Sequence, residues 1–192
     1  MKIVTLLGSA KKKGNTATVL TWVEAELLSM GHEVERIYLE KVEIGGCLGC
    51  AKCRELPEEI GCVRKDDAYP IFEKMIEAEA VLFATPIYFW GYSAQMKALI
   101  DRGYSLVCNY HMPNHTSLVE GQRQALLVTG AGPYENNAEP LFVAFDRIVS
   151  YYKAVKAGEL YVAGCSTPDQ MPPKVKAQAQ ALARQIDGQK LQ

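Results

Sequence analysis

The chain has 192 residues, 48% of them apolar, and its 21 basic and 22 acidic residues leave a net charge of −1. That length and apolar content fit one domain, expected over 1–192, with a sizeable core, and they exclude an extended disordered chain. The balanced charge provides no field for nucleic-acid backbones or membrane surfaces, so a small-molecule partner is expected.

The apolar N-terminal run is too short for a signal-peptide core and leads into Lys11, Lys12 and Lys13, which predicts cytoplasmic residence. In that reducing compartment the six cysteines are expected to bind metal, do redox chemistry or fill core, not to form disulfides. Lys2 to Leu7 reads as a buried parallel strand, because its apolar residues run on without alternating. The segment Gly8 to Thr16, GSAKKKGNT, follows it and opens a helix expected from Asn15 to Met30, with Gly31 as its stop. Free backbone N–H groups at a helix head favour an anion, Ser9, Asn15 and Thr16 add side-chain donors, and Gly14 lets the backbone approach closely. The lysines stand upstream of Gly-Asn-Thr, so this is neither a Walker loop nor a GxGxxG fingerprint.

Glu33 to Leu39 is expected to be a charged edge strand. Gly45 to Lys65 has the punctuation of a loop and carries four cysteines. Asp66 or Asp67 can cap a helix ending near Glu77. Ala80 to Thr85 is expected to form a third strand that stops at Pro86, and a helix is expected from Ser93 to Gly103. Tyr104 to Gly121 shows no period and reads as a lid or a subunit contact. Ala125 to Thr129, Asn137 to Tyr152, Glu159 to Ala163 and Pro172 to Ile186 then alternate as strand, helix, strand and helix. Five strands alternating with five helices predict an α/β chain with a doubly wound parallel sheet covered on both faces. In such sheets ligands bind beyond the carboxyl ends of the strands, where Gly8 to Thr16, Pro86 to Tyr92 and Gly130 to Asn137 all fall.

Tyr88, Phe89, Trp90 and Tyr92 crowd the second of these loops and offer stacking faces to a flat ring. Gly130 and Gly132 permit close approach in the third. A phosphate cradle, a ring-stacking loop and a Gly-rich loop at one rim are the parts needed to hold a phosphorylated flavin. Cys47, Cys50 and Cys53 are spaced C-x2-C-x2-C, with eight residues, 54–61, before Cys62. Three thiolates so spaced can wrap one face of a cubane cluster, and a distant fourth can close it. A zinc site and unliganded thiols are the alternatives. Cys108 and Cys165 stand alone and read as structural, and His111 and His115 as exposed polar residues. There is no Ser-His-Asp set and no paired carboxylates.

GSAKKKGNT, CLGCAKC followed by Cys62 and Asp66-Asp67, and TPIYFWGYSAQMKALIDR together resemble the flavodoxin-like NADPH-dependent FMN reductases, and within them the iron–sulfur flavoproteins. The resemblance covers nearly the whole chain. It implies a flavodoxin-like five-stranded parallel sheet in the order 2-1-3-4-5, with helices on both faces. It implies that Ser9, Lys11, Gly14, Asn15 and Thr16 bind the FMN phosphate, that Pro86, Ile87, Tyr88, Phe89 and Trp90 hold the isoalloxazine, and that Gly130 lines its other side. The activity it implies is an oxidoreductase passing electrons from NAD(P)H through FMN to a small acceptor such as a quinone or flavin, with no catalytic side chain. The near-neutral charge favours this over a pure carrier, which is commonly acidic. One alternative is an electron carrier with a [4Fe-4S] cluster on Cys47, Cys50, Cys53 and Cys62 beside the FMN, with ferredoxin as a partner. In the cluster's absence Cys50 or Cys53 would touch the flavin edge or the substrate. The other is a non-enzymatic anion- or zinc-binding module. A homodimer or larger homo-oligomer is expected, joined through Tyr104 to Gly121 and the aromatic loop.

Overall fold

The computed structural model describes residues 1–56 and 58–189. Five long strands, β1 (Lys2–Leu7), β2 (Glu33–Tyr38), β3 (Ala80–Tyr88), β7 (Arg123–Thr129) and β8 (Val155–Val162), pair in parallel in the order β2-β1-β3-β7-β8. Among the described residues three two-residue strands accompany them: β4 (Gly91–Tyr92), β5 (Val107–Cys108) and β6 (Thr116–Ser117). The helices are α1 (Asn15–Ser29), α2 (Ala68–Glu77), α3 (Ala94–Arg102), α4 (Glu139–Tyr151) and α5 (Pro173–Asp187). This is the flavodoxin-like doubly wound order. No helix among the described residues is long and apolar enough to cross a membrane.

The two faces of the sheet carry separate cores, as continuous apolar central strands require. On one, Val19, Leu20, Val23 and Leu27 of α1 meet Leu182 and Ile186 of α5 over Ile3, Leu82 and Leu127. On the other, Phe72 of α2, Met96 of α3 and Phe145 of α4 cover Val4, Phe83 and Leu126. Phe145 meets the Phe83 ring edge-on at 5.7 Å between centroids. Each fully buried side chain of this size contributes about 1.5–3 kcal/mol, which fixes the layers against the entropy of the chain. Edge strand β2 is only partly buried, and Arg36 projects from it to pair with Glu24 of α1.

Three expectations about elements need correction, and the first is the fifth strand, which was expected from Glu159 to Ala163 and runs from Val155 to Val162. Strand β3 does not stop at Pro86: it continues to Tyr88 and turns into β4, with Ile87 opposite Tyr92. Pro86 lies opposite Thr129 at the end of the ladder, where a missing N–H removes little, and the Thr85 hydroxyl donates to the Pro86 carbonyl at 2.9 Å. Tyr104 to Gly121 is not structureless: a 3₁₀ turn over Gly103–Leu106 leads into β5, which pairs antiparallel with β6.

Candidate functional site

The rim of the sheet is where β1, β3 and β7 end in register, Leu7 beside Ala84 and Pro86 beside Thr129. Beyond β1 the backbone bends at Lys11 to Gly14, the Gly14 amide donating to the Lys11 carbonyl at 3.1 Å. Gly14 is the N-cap of α1, where no side chain caps the helix and its first turn holds no acidic residue. The amides of that turn therefore face the rim without a capping partner, under the positive end of a fifteen-residue helix. The Ser9 hydroxyl accepts the Lys11 amide at 3.2 Å, and Thr16 and Thr129 share a buried hydroxyl–hydroxyl bond of 2.7 Å that ties α1 to the end of β7.

These pieces enclose a cavity of about 250 Å³. Its lining includes Ser9, Lys11, Gly14, Asn15 and Thr16 from the first loop, Pro86, Ile87 and Tyr88 from the second, and Gly130 from the third. Phe89 and Trp90 do not line it; they line an adjoining cavity of about 300 Å³ that shares Ile87 and Ala131 with the first. Sequence reasoning missed Thr129, Ala131 and Cys165 in the first cavity. Cys165 had read as a lone structural thiol. Its amide reaches back to the Gly130 carbonyl at 3.0 Å, so the loop after β8 closes the cavity from a side no local motif marks.

The aromatic hairpin is built against backbone preference. Tyr88 pairs with Gly91, and between them Phe89 and Trp90 have φ of +47° and +59°. A two-residue turn with both centres left-handed suits strand twist but favours Asn-Gly, and each larger side chain there costs about 1–2 kcal/mol. Phe89 is nonetheless 95% exposed and Trp90 57%. Their edge-on contact, 5.9 Å between centroids, offsets little of that cost. Exposed aromatics held in unfavourable backbone at a cavity mouth are the pattern of a binding element. Tyr92 anchors the hairpin by donating to the Leu141 carbonyl at 3.0 Å. In the third loop Asn137 is committed to structure, donating to the Pro133 carbonyl and to Tyr161 Oη.

Cys47, Cys50, Cys53 and Cys62 line a separate cavity of about 320 Å³, formed where their loop packs on Asp101 and Arg102 of α3 and on Tyr104 and Ser105. None of them lines the rim cavity, so neither Cys50 nor Cys53 touches it. The residues before Cys62 are taken up by a 3₁₀ turn, Lys52–Glu55, and by burial of Ile60 in the core. Gly61 then lies flat on Cys53: a Cβ there would stand 2.6 Å from the Cys53 carbonyl oxygen. Only glycine brings Cys62 back beside Cys53 in this way. Among the described residues no three His, Cys, Asp or Glu side chains converge closely enough for a single metal ion, as tetrahedral zinc would require. Burial, and then the neighbouring Cys62, Cys47 and Cys50, push the Cys53 thiol up. The buried Ser105 hydroxyl lines the same cavity and has no hydrogen-bond partner among the described residues.

Both ends of this loop are fastened to one ion pair. Arg102, its side chain 1% exposed, holds Asp66 at 2.6 Å. Asp66 also accepts the Gly45 amide at 3.0 Å and the Ala68 amide at 3.2 Å, the latter at the start of α2. Burial would push Asp66 up, but the bonds from Arg102, Gly45 and Ala68 outweigh it and hold the carboxyl at about 2. Asp67, the other capping candidate, instead accepts the Glu43 amide. His115 is half-buried and stacks on Tyr151 at 4.8 Å, while His111 is exposed.

A family model described as NADPH-dependent FMN reductase matches residues 1–138 of the chain. The chain belongs to that family. An iron–sulfur flavoprotein of Archaeoglobus fulgidus is 38% identical over 115 residues, 59% of this chain and 55% of the relative. One of Methanocaldococcus jannaschii is 35% identical over 114 residues, 59% of this chain and 58% of the relative. The matches thus span little more than half the length of these relatives. A solved flavodoxin of Streptococcus pneumonia TIGR4 superposes at a TM-score of 0.60 with 15% identity, covering 97% of each chain, a likeness of fold.

In this NADPH-dependent FMN reductase relative, the hairpin gives the first test. Replacing Phe89 by Asn together with Trp90 by Gly is expected to raise stability by about 1–2 kcal/mol, since both substitutions suit a left-handed turn and lose little burial. The same change removes two aromatic faces from the cavity mouth, so uptake of added FMN should weaken as the urea midpoint rises. A fall in both would show that the turn is not the source of strain.

Proposed function

We propose that the chain binds FMN non-covalently at the rim cavity and acts as an oxidoreductase, passing electrons from NAD(P)H to a small acceptor such as a quinone or a flavin. The observation that carries this is one cavity drawing its lining from a helix-head anion cradle, an aromatic hairpin and a Gly-rich loop. Family membership supports the cofactor and the nicotinamide donor. Bound there, FMN would supply hydride acceptance and delivery of electrons singly or in pairs. The uncapped amides of α1 with Ser9 and Thr16 would take the phosphate. Ile87, Tyr88 and the Gly130 loop would hold the ring, and the exposed hairpin would shed water from its face. No proton donor or nucleophile is needed from the chain.

Purified protein is expected to be yellow, to release FMN on denaturation, and to lose its flavin absorbance in stopped-flow mixing with NADPH or NADH. Flavin that is reduced by dithionite but by neither nucleotide would overturn the reductase reading. Colourless protein that takes up no added FMN would overturn the site.

A second reading is favoured by the cysteine cavity: Cys47, Cys50, Cys53 and Cys62 holding a [4Fe-4S] cluster. Four cysteines lining one cavity supply the number and type of ligands that a cubane cluster takes, one thiolate to each iron. The unpartnered Ser105 hydroxyl suits it too, because a cluster sulfur would accept its hydrogen bond. The chain would then also exchange single electrons with a partner such as a ferredoxin. Anaerobic purification should yield about four irons per chain with matching sulfide.

A further inference from the structure

We propose that Arg102 is a positioning residue for the cysteine site, whose buried guanidinium locks both ends of the cysteine loop, hydrogen-bonds the Cys62 sulfur and thereby favours the reduced state of a bound cluster. The inference rests on the cluster reading above.

Each of the three guanidinium nitrogens has a partner. Its Nε donates to Cys62 Sγ at 3.1 Å, and one terminal nitrogen donates to the Gly45 carbonyl at 3.0 Å and to Asp66 at 2.6 Å. The other terminal nitrogen reaches the Arg64 carbonyl at 3.5 Å. Residues 45 and 64 bracket all four cysteines, so one side chain of α3 sets the span of the loop and the place of its last sulfur. Asp66 is met by one terminal nitrogen only, which leaves the other for the Arg64 carbonyl while Nε points at sulfur.

Arg54 and Arg64 line the same cavity but are differently placed. Arg54 lies over the Tyr110 ring at 4.0 Å, and the Arg64 side chain is 34% exposed. Arg102 is the buried cation, and its field is the least screened by water. The redox step adds one electron to the cluster, from a low-potential one-electron donor such as dithionite. No bond forms or breaks, no proton moves, and Arg102 stays protonated throughout. The added negative charge strengthens the N–H···S bond, so the reduced state gains more from Arg102 than the oxidised state does.

The test compares anaerobically prepared wild-type protein with Arg102→Lys, which keeps the charge but cannot reach sulfur, carbonyl and carboxylate together. Iron and sulfide are measured first, and the cluster midpoint is then titrated by EPR, with the FMN midpoint as internal reference. The expected result is a loaded variant whose reduced-to-oxidised ratio at fixed potential falls about tenfold, ~59 mV for a one-electron couple, with FMN unmoved. Should Arg102→Lys fail to load, pulsed EPR on protein carrying guanidino-¹⁵N arginine, with Arg54 and Arg64 replaced by Lys, decides the matter. A ¹⁵N coupling to the reduced cluster supports the proposal. A loaded variant with an unchanged midpoint, or no ¹⁵N coupling, overturns it and leaves the cluster reading standing. Iron-free wild-type protein removes both.

Discussion

Replacing Asp66 by Ala is expected to lower the unfolding free energy by about 3–5 kcal/mol, because it strands the Arg102 charge where water cannot reach it. The same substitution unties the Gly45 and Ala68 amides, so the loss is concentrated at the base of the cysteine loop and the start of α2. Asp66→Asn, which keeps the shape and one acceptor oxygen, should cost less. The pH dependence follows from the depressed carboxyl, held at about 2 in the fold against an ordinary value of 3.8. A group whose folded value lies below its unfolded value binds more protons when unfolded, so its contribution is complete above pH ~4 and is lost as pH falls towards 2. Urea unfolding of wild type and Asp66→Ala at neutral pH and in acid should therefore converge as pH drops. A difference below about 1 kcal/mol at neutral pH would mean that the pair is not stabilising.

Gly130→Val is expected to weaken FMN binding by at least about tenfold, equivalent to ~1.4 kcal/mol. A Cβ at this position would stand 2.5 Å from Ile87 Cγ2 and 2.6 Å from Tyr161 Oη, so both must give way unless the Gly130 backbone moves. If Ile87 moves, the wall shared by the two cavities moves with it. If Tyr161 moves, it drops the Gly132 carbonyl and Asn137, the bonds that set the third loop. Either outcome deforms the site, while overpacking should cost about 1–3 kcal/mol of stability, which the fold should survive. Fluorescence titration with FMN reads the affinity and circular dichroism the fold. Native-like protein with unchanged affinity would place the flavin away from this wall.

The sheet and its flanking helices were legible because the signals are local. Ile3 to Leu7 is an apolar run, α1 repeats its buried residues at helical spacing, and Gly31 stops it at φ +83°. The hairpin was not, because turn rules assign a left-handed pair to Asn-Gly and here Phe89 and Trp90 occupy it. Pro86 signalled a strand end that the register carries two residues further. Strands of two residues, as in β5 and β6, are too short to show a period. The three rim loops met as their positions after β1, β3 and β7 implied, but Cys165 joined them through a bond to Gly130 that leaves no trace in neighbouring residues. Arg102 closes the motif TPIYFWGYSAQMKALIDR without a role attached to it; that role emerges only from what the fold brings to it.

Because Asp66 and Arg102 cinch residues 45 and 64 together, the cysteine segment is a cassette closed at its base, with Ile60 as its plug in the core. The remainder of the sheet is indifferent to how long that cassette is, since doubling a closed loop adds only about 0.6 kcal/mol of closure entropy. A lineage could thus lengthen, shorten or empty it of thiols without disturbing the rim cavity, and an engineer could graft a different ligand set between the same two posts.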